Sequence, residues 1–198
     1  MKGRVINNVT PQQKIVGVNN KFGNTNIKNQ QGTTRVLFDS LPLDGSTELR
    51  FFENSSSRQY PFTNVGAEGN RLNVGETFVV QKIYFGISFI DPDTGLWVSN
   101  DTLDSNGFND WMWGEWSFLI ANSQVIKQLP FFQTIYPDGC TKVNNVDEAF
   151  NTFTDIVIPP LLEYVLTYRA NTYTAIPNTY LVCYIEGTAG ILAPQTTF

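Results

Sequence analysis

No histidine occurs in the 198 residues, so the side chain that most often acts as a general base at neutral pH is absent. A Ser-His-Asp triad, a Cys-His dyad and nearly every zinc site are therefore excluded. A nucleophile elbow, a Walker loop and a G-x-G-x-x-G fingerprint are also missing. Carboxylate pairs of the glycosidase kind remain, but most Asp and Glu residues lie in turn-forming stretches. We expect no enzyme, no catalytic residues and no cofactor.

One loop partly matches a calcium-binding pattern. In residues 102–113, Asp104, Asn106 and Gly107 occupy the third, fifth and sixth positions of an EF-hand loop. The first and twelfth positions carry threonine and tryptophan, so both end ligands are missing. We interpret the segment as a polar surface loop and expect no metal site.

Four tryptophans form the sharpest local feature: Trp97, Trp111, Trp113 and Trp116. Exposed indole rings beside Asn and Asp could stack on sugar rings, which would make this region a carbohydrate- or receptor-binding site. The other interpretation places these side chains in the core or at a subunit interface, where tryptophan supplies a large buried area. The sequence favours the second interpretation and leaves the first as the alternative.

Charged residues are few and unevenly distributed. They make up 16% of the chain, against about 25% in ordinary soluble domains, whereas aromatic residues reach 14%. Six basic residues and no acidic one occur up to Arg35; the other seven basic and all eighteen acidic residues give the remainder a charge of −11. This split predicts a basic arm that contacts nucleic acid or neighbouring acidic subunits, with a solvated terminus as the alternative.

Neither a membrane span nor a disulfide framework is predicted. A transmembrane helix needs an apolar run of about 18 residues, and no run in this sequence is that long. The N-terminus also lacks the apolar core of a signal peptide. The two cysteines are Cys140, in a turn-rich loop, and Cys183, in an alternating strand-like run. We expect both to be reduced, with a bond between them as the alternative, and Cys183 to act as a small core residue.

The longest strand-forming stretch covers residues 72–90, and about seven shorter ones accompany it. In the long strand, Val79, Ile83, Phe85, Ile87 and Phe89 share one parity and are expected to face a core. Further strands are predicted at 35–41, 47–53, 96–98, 115–129 with a corner at 122–123, 153–158, 161–168 and 180–186. Residues 147–153 are the one plausible helical turn.

This pattern predicts an all-β, single jelly-roll (Greek-key) sandwich of about eight strands with an extended N-terminal arm. We expect the arm to cover residues 1–34, the sandwich residues 35–187 and a C-terminal tail residues 188–198. Tight hairpins beside loops of ten or more residues favour a Greek key over an up-and-down barrel.

Several segments resemble the jelly-roll capsid (coat) proteins of icosahedral bacteriophages. They are LRFF at 49–52, YPFTN at 60–64, LNVGETF at 72–78, the hairpin at 115–130 and the closing strand at 180–187. The length matches the single-roll members of the family. The resemblance implies a non-catalytic virion subunit that binds copies of itself and other capsid subunits, and that assembles in the host cytoplasm. The basic arm would contact nucleic acid or neighbouring subunits.

Overall fold

The chain folds entirely into β-strands and their connections over the residues that the computed structural model describes: residue 13 excepted, these are 30–53, 57–65, 70–91, 93–99, 114–130, 150–170 and 175–192. The predicted all-β class is confirmed. The predicted N-terminal arm lies outside the described residues. The strands, in chain order, are β1 (Gln30–Pro42), β2 (Glu48–Phe51), β3 (Thr77–Ile90), β4 (Trp97–Ser99), β5 (Gly114–Ile120), β6 (Ser123–Pro130), β7 (Phe150–Ile158), β8 (Tyr164–Ala170) and β9 (Thr179–Leu192).

Two antiparallel sheets, each four positions wide, form the sandwich. The first sheet has the order β1-β9-β3, and its fourth position is shared. There β7 pairs with the first half of β3, and the short β4 pairs with its last three residues. The second sheet has the order β2-β8-β5-β6. Apart from β4, eight strands therefore make up the sandwich.

The pairings describe one long hairpin that is rolled up. β1 pairs with β9, β2 with β8, β3 with β7 and β5 with β6, all antiparallel. The tip of this hairpin is the tight turn at residues 121 and 122, between β5 and β6. Rolling brings β3 beside β9 and β5 beside β8. This is the double Greek key of a jelly roll, as predicted.

A β-bulge in β3 changes which residues of this strand face the core. The pairing register shifts between Val80 and Lys82 against both neighbouring strands. Because of this extra residue, Phe78 and Val80 join Ile83, Phe85 and Ile87 in the core between the sheets. The prediction that Val79 faces that core was therefore wrong, although Val79 is buried on the opposite face. Simple alternation cannot show a bulge.

Aromatic side chains connect the two sheets at the centre of the core. The ring of Phe85, on β3, meets Phe51 of β2 and Trp116 of β5 edge-on, at centroid distances of 5.9 and 5.8 Å. All three side chains are fully buried. Edge-to-face pairs of this kind contribute about 0.5–1.5 kcal/mol each beyond their buried area.

Three further features of the structure differ from the expectations: the position of one turn, the type of one segment and the extent of the outer strand ladder. The corner of the β5–β6 hairpin lies one residue earlier than predicted, because Ala121 takes a φ of 51° and donates to Glu163 O at 2.7 Å. Residues 150–153 belong to β7 and not to a helical turn, since pairing with β3 overrides weak local propensity. The β1–β9 ladder begins at Gln30 and continues to Leu192, beyond the predicted sandwich limits of 35 and 187.

Candidate functional site

The buried carboxylate of Asp39, on β1, binds the segment that follows β2. Asp39 is fully buried and accepts hydrogen bonds from Phe52 N at 2.5 Å and from Arg58 Nη2 at 2.6 Å. Burial raises the pKa of Asp39, while the hydrogen bonds and charge of Arg58 oppose this rise. The sequence pattern alone does not predict this group. The one sequence feature that indicates it is a single acidic residue two positions after Leu37, on the side of the strand that is expected to face the core.

The upper half of the β1 edge is covered by residues 62–64. Ser40 N donates to Phe62 O at 2.9 Å, and Asn64 N donates to Phe38 O at 3.3 Å. The Asn64 side chain continues the ladder as a backbone would, because its Oδ1 accepts from Phe38 N and its Nδ2 donates to Val36 O. This part of the edge is therefore closed to another chain.

The lower half of the same strand, residues 30–35, presents an open edge. Phe38 and Ser40 direct their N–H groups away from β9, so the two-residue period of a strand directs those of Gln30, Gly32 and Thr34 the same way. Among the described residues, no strand or loop pairs with this side of 30–35. We call this stretch the open β1 edge.

The edge strand of the second sheet, β6, differs because it carries features that discourage pairing. Lys127 is exposed, Gln128 takes a positive φ of 46°, and Pro130 ends the strand without an N–H. Charge, a local distortion and proline are the usual means by which proteins protect sheet edges. The open β1 edge has none of the three between Gln30 and Thr34.

A row of aromatic side chains crosses the outer face of the first sheet. Phe38, Tyr184 and Tyr84 are direct partners on β1, β9 and β3. Their ring centroids are 6.1 and 4.9 Å apart, and the two tyrosine rings stack at 14°. Phe62 and Tyr180 form a further pair at 5.5 Å. We call these five residues the aromatic face; all are half-buried on a side of the sandwich that is usually polar.

The outer face of the second sheet is polar and balanced in charge. It forms a shallow groove of about 410 Å³ lined mainly by Arg, Glu, Gln, Ser and Thr side chains of its four strands. Glu48 accepts from Arg169 Nε at 2.7 Å and lies 3.7 Å from Arg50 Nε, which is 3.1 Å from Glu53. Such exposed pairs contribute about 0–1 kcal/mol each. The groove shows no grouping of acid, base and nucleophile among the described residues.

The tryptophans do not form one exposed cluster. Trp116 is buried in the core, as the favoured interpretation predicted for it. The backbone of Trp97 lies in β4. Trp111 and Trp113 lie outside the described residues, as does the loop at 102–113 with its partial calcium pattern. A sugar-binding role for the region therefore loses Trp116 as a candidate residue.

Cys183 is free and fully buried in β9, which confirms its predicted place in the core; Cys140 lies outside the described residues. Burial raises the pKa of the Cys183 thiol well above its usual range, so little thiolate is present to react.

We expect this protection to be measurable in a Cys140→Ser variant, where Cys183 is the one remaining thiol. A disulfide reagent at pH 8 should label it on the order of a hundred-fold or more slowly in the native protein than in denaturant, since labelling requires unfolding. Labelling of the native protein at the rate of a free cysteine would contradict the placement of Cys183.

Neither a metal site nor a membrane helix is seen in the described part of the chain. No group of three or more His, Cys, Asp or Glu side chains there could hold an ion. Within the same residues, no helix has the length and apolar character needed to span a bilayer.

Comparisons with known proteins add no relative. No protein-family model, no curated protein and no solved structure matches this chain. Its fold, its edges and its two outer faces are therefore the basis for a functional conclusion.

Proposed function

We propose that the protein is a virion structural protein, a capsid subunit that assembles with copies of itself, and with other capsid subunits, into an icosahedral phage shell. The observation that carries this proposal is the strand order β1-β9-β3-β7 over β2-β8-β5-β6. Jelly rolls of this kind occur in viral capsid proteins, lectins and cupins. Fold alone does not decide among them, so the proposal also depends on the surface.

The surface features support a shell subunit over the other two classes. Metal-binding sites of the cupin kind depend on histidine, and the chain has none. The lectin alternative depends on the tryptophan region. Trp116 is buried in the core, so its ring is not available to stack on a sugar. The aromatic face is the kind of uncharged, half-buried patch that forms the centre of protein–protein interfaces.

The resemblance to phage coat proteins adds the virion as the location, with assembly in the host cytoplasm. The open β1 edge is consistent with a chain that meets partners in an assembly, because an isolated protein with such an edge tends to aggregate. No catalytic step is part of the proposal.

Light scattering of the purified chain tests the proposal through its mass in solution. We expect species many times heavier than the 22.3 kDa chain. Tyr84→Glu should reduce assembly by about ten-fold or more, because it places a charge in the middle of an apolar interface. Gln81→Glu is the matched control, since it adds the same charge to the same strand at an exposed bulge position.

The control variant should assemble like the natural chain, and circular dichroism should show the same β-structure in all three proteins. A natural chain that remains a 22.3 kDa monomer at high concentration would contradict the capsid proposal. Normal assembly of Tyr84→Glu would remove the aromatic face from the interface.

A further inference from the structure

We propose that residues 14–18 of one subunit bind as an added strand to the open β1 edge of a second copy. This inference rests on the proposed function, since it names the contact by which the basic arm would join neighbouring subunits. The mode of binding is β-augmentation, in which backbone hydrogen bonds supply affinity and alternate side chains supply specificity.

The open β1 edge has the size and chemistry for one short strand. Residues 30–35 span about 20 Å at 3.3 Å per residue, and a five-residue strand needs about 17 Å. The N–H and C=O groups of Gln30, Gly32 and Thr34 point away from β9. Gly32 leaves room above the edge, because a Cβ added there would meet nothing within 4 Å.

Asn64 shows what the upper half of β1 does with the same groups. There, a side-chain amide and two backbone groups satisfy the ladder positions of Val36, Phe38 and Ser40. The lower half has the same geometry and lacks that partner among the described residues. The side of β1 that faces away from β9 can therefore pair with a partner along its whole length. Residues 62–64 occupy half of that side.

The arm contains one stretch suited to this edge. Ile15, Val16 and Val18 are the strand-forming residues of a segment otherwise rich in Asn, Gln and Gly, and Lys14 precedes them. The arm is free of acidic residues, whereas the chain beyond Arg35 carries −11. Charge complementarity therefore draws the arm to the acidic body of a subunit. The apolar Ile15, Val16 and Val18 suit pairing with a strand, whereas contacts with nucleic-acid phosphates are made by basic and polar groups.

The length of the connection favours a second copy over the same chain. Eleven residues, 19–29, separate Val18 from Gln30. Hairpins within one chain usually have loops of about 2–5 residues. Fully extended, eleven residues reach about 36 Å, well beyond the about 20 Å of the open edge, so this connection is long enough for the arm to leave its own edge.

Disulfide trapping tests the contact. Two chains, both with Cys140→Ser, are assembled together: one carries Thr34→Cys on the edge, and the other carries Ile15→Cys, Val16→Cys or Gly17→Cys in the arm. We expect at least one combination to give a covalent dimer on a non-reducing gel, because partners on adjacent strands bring Cβ atoms within disulfide distance. Thr188→Cys is the matched control, since Thr188 is the direct partner of Thr34 on the interior strand β9 and should give no dimer.

Thr34→Pro provides a second, independent readout. It removes an N–H that points to the open side and leaves the β1–β9 ladder bonds intact, so the subunit should still fold. Trypsin should then cleave after Lys14 at least about ten-fold faster in the assembled protein, because the docked strand is released. Thr188→Ala is the control: it changes the neighbouring position on the interior strand β9 and leaves the open β1 edge untouched, so trypsin should cleave this variant after Lys14 at the natural rate.

Three outcomes overturn the inference. One is assembly without any mixed-chain dimer. Another comes from a third variant, in which one chain carries both Thr34→Cys and an arm cysteine: a disulfide that forms only within that chain would place the arm on its own edge. The third is protection of Lys14 that disappears on nuclease treatment, which would assign the arm to nucleic acid. Light scattering of the same samples separates these results from failure of the proposed function, because assembly is measured whether or not the dimer forms.

Discussion

Replacing Gly187 with alanine is expected to prevent the chain from folding, with a loss in the free energy of unfolding of more than about 4 kcal/mol. Gly187 lies in β9, between Arg35 of β1 and Val80 of β3. A Cβ at this position would lie 1.9 Å from the carbonyl oxygen of Val79. A main-chain atom of a central strand cannot move aside as a flexible side chain can. The bulge in β3 therefore requires glycine opposite it.

Gly32→Ala is the control for this variant, because it makes the same change in the same sheet where nothing lies within 4 Å. Its stability should remain within about 0.5 kcal/mol of the natural chain. Soluble yield and the midpoint of urea unfolding measure both variants. If Gly187→Ala unfolded at the same urea concentration as Gly32→Ala, the close approach of β9 to β3 would be wrong.

Replacing Asp39 with alanine is expected to destabilise the protein by about 3 kcal/mol or more, the cost of breaking a buried pair by removing one partner. The loss leaves the guanidinium of Arg58, 23% exposed, without its main acceptor. It also leaves the N–H of Phe52, a fully buried residue, without the 2.5 Å bond that it makes to Asp39. Because Arg58, which Asp39 binds, leads into the segment 62–64 that covers β1, the covered part of the edge should loosen as well.

Glu163→Ala is the matched control. It removes a carboxylate from the ion pair with Arg71, where both side chains are more than half exposed, so the expected loss is about 0–1 kcal/mol. Chemical denaturation measures stability, and hydrogen exchange at Phe38 and Ser40 reports the state of the covered edge. Equal losses in the two variants would show that the buried Asp39 carboxylate stabilises the fold no more than an exposed one does.

Strand positions and fold class were predictable from the sequence because they depend on local residue types. In β8, for example, the alternation of Tyr164, Leu166 and Tyr168 indicates one core-facing side, and all three are buried. The bulge in β3 was not predictable, since it depends on how β7 and β9 pair with that strand. The β-structure of residues 150–153 was missed for the same reason.

The surfaces on which the functional proposals depend can be identified only from the three-dimensional structure. The aromatic face depends on the register that aligns Phe38, Tyr184 and Tyr84, which are far apart in sequence. The covering of β1 depends on Asn64, a residue that local pattern would assign to a loop. The basic arm, in contrast, was visible at once, because a charge distribution is a property of the sequence itself.

Electron microscopy of the purified natural chain tests the central claim most directly. The capsid proposal predicts closed shells of uniform diameter, whose repeating unit fits the eight-stranded sandwich in side-by-side contact. Monomers under every condition that supports folding would contradict it. Filaments or aggregates without closed symmetry would contradict it as well.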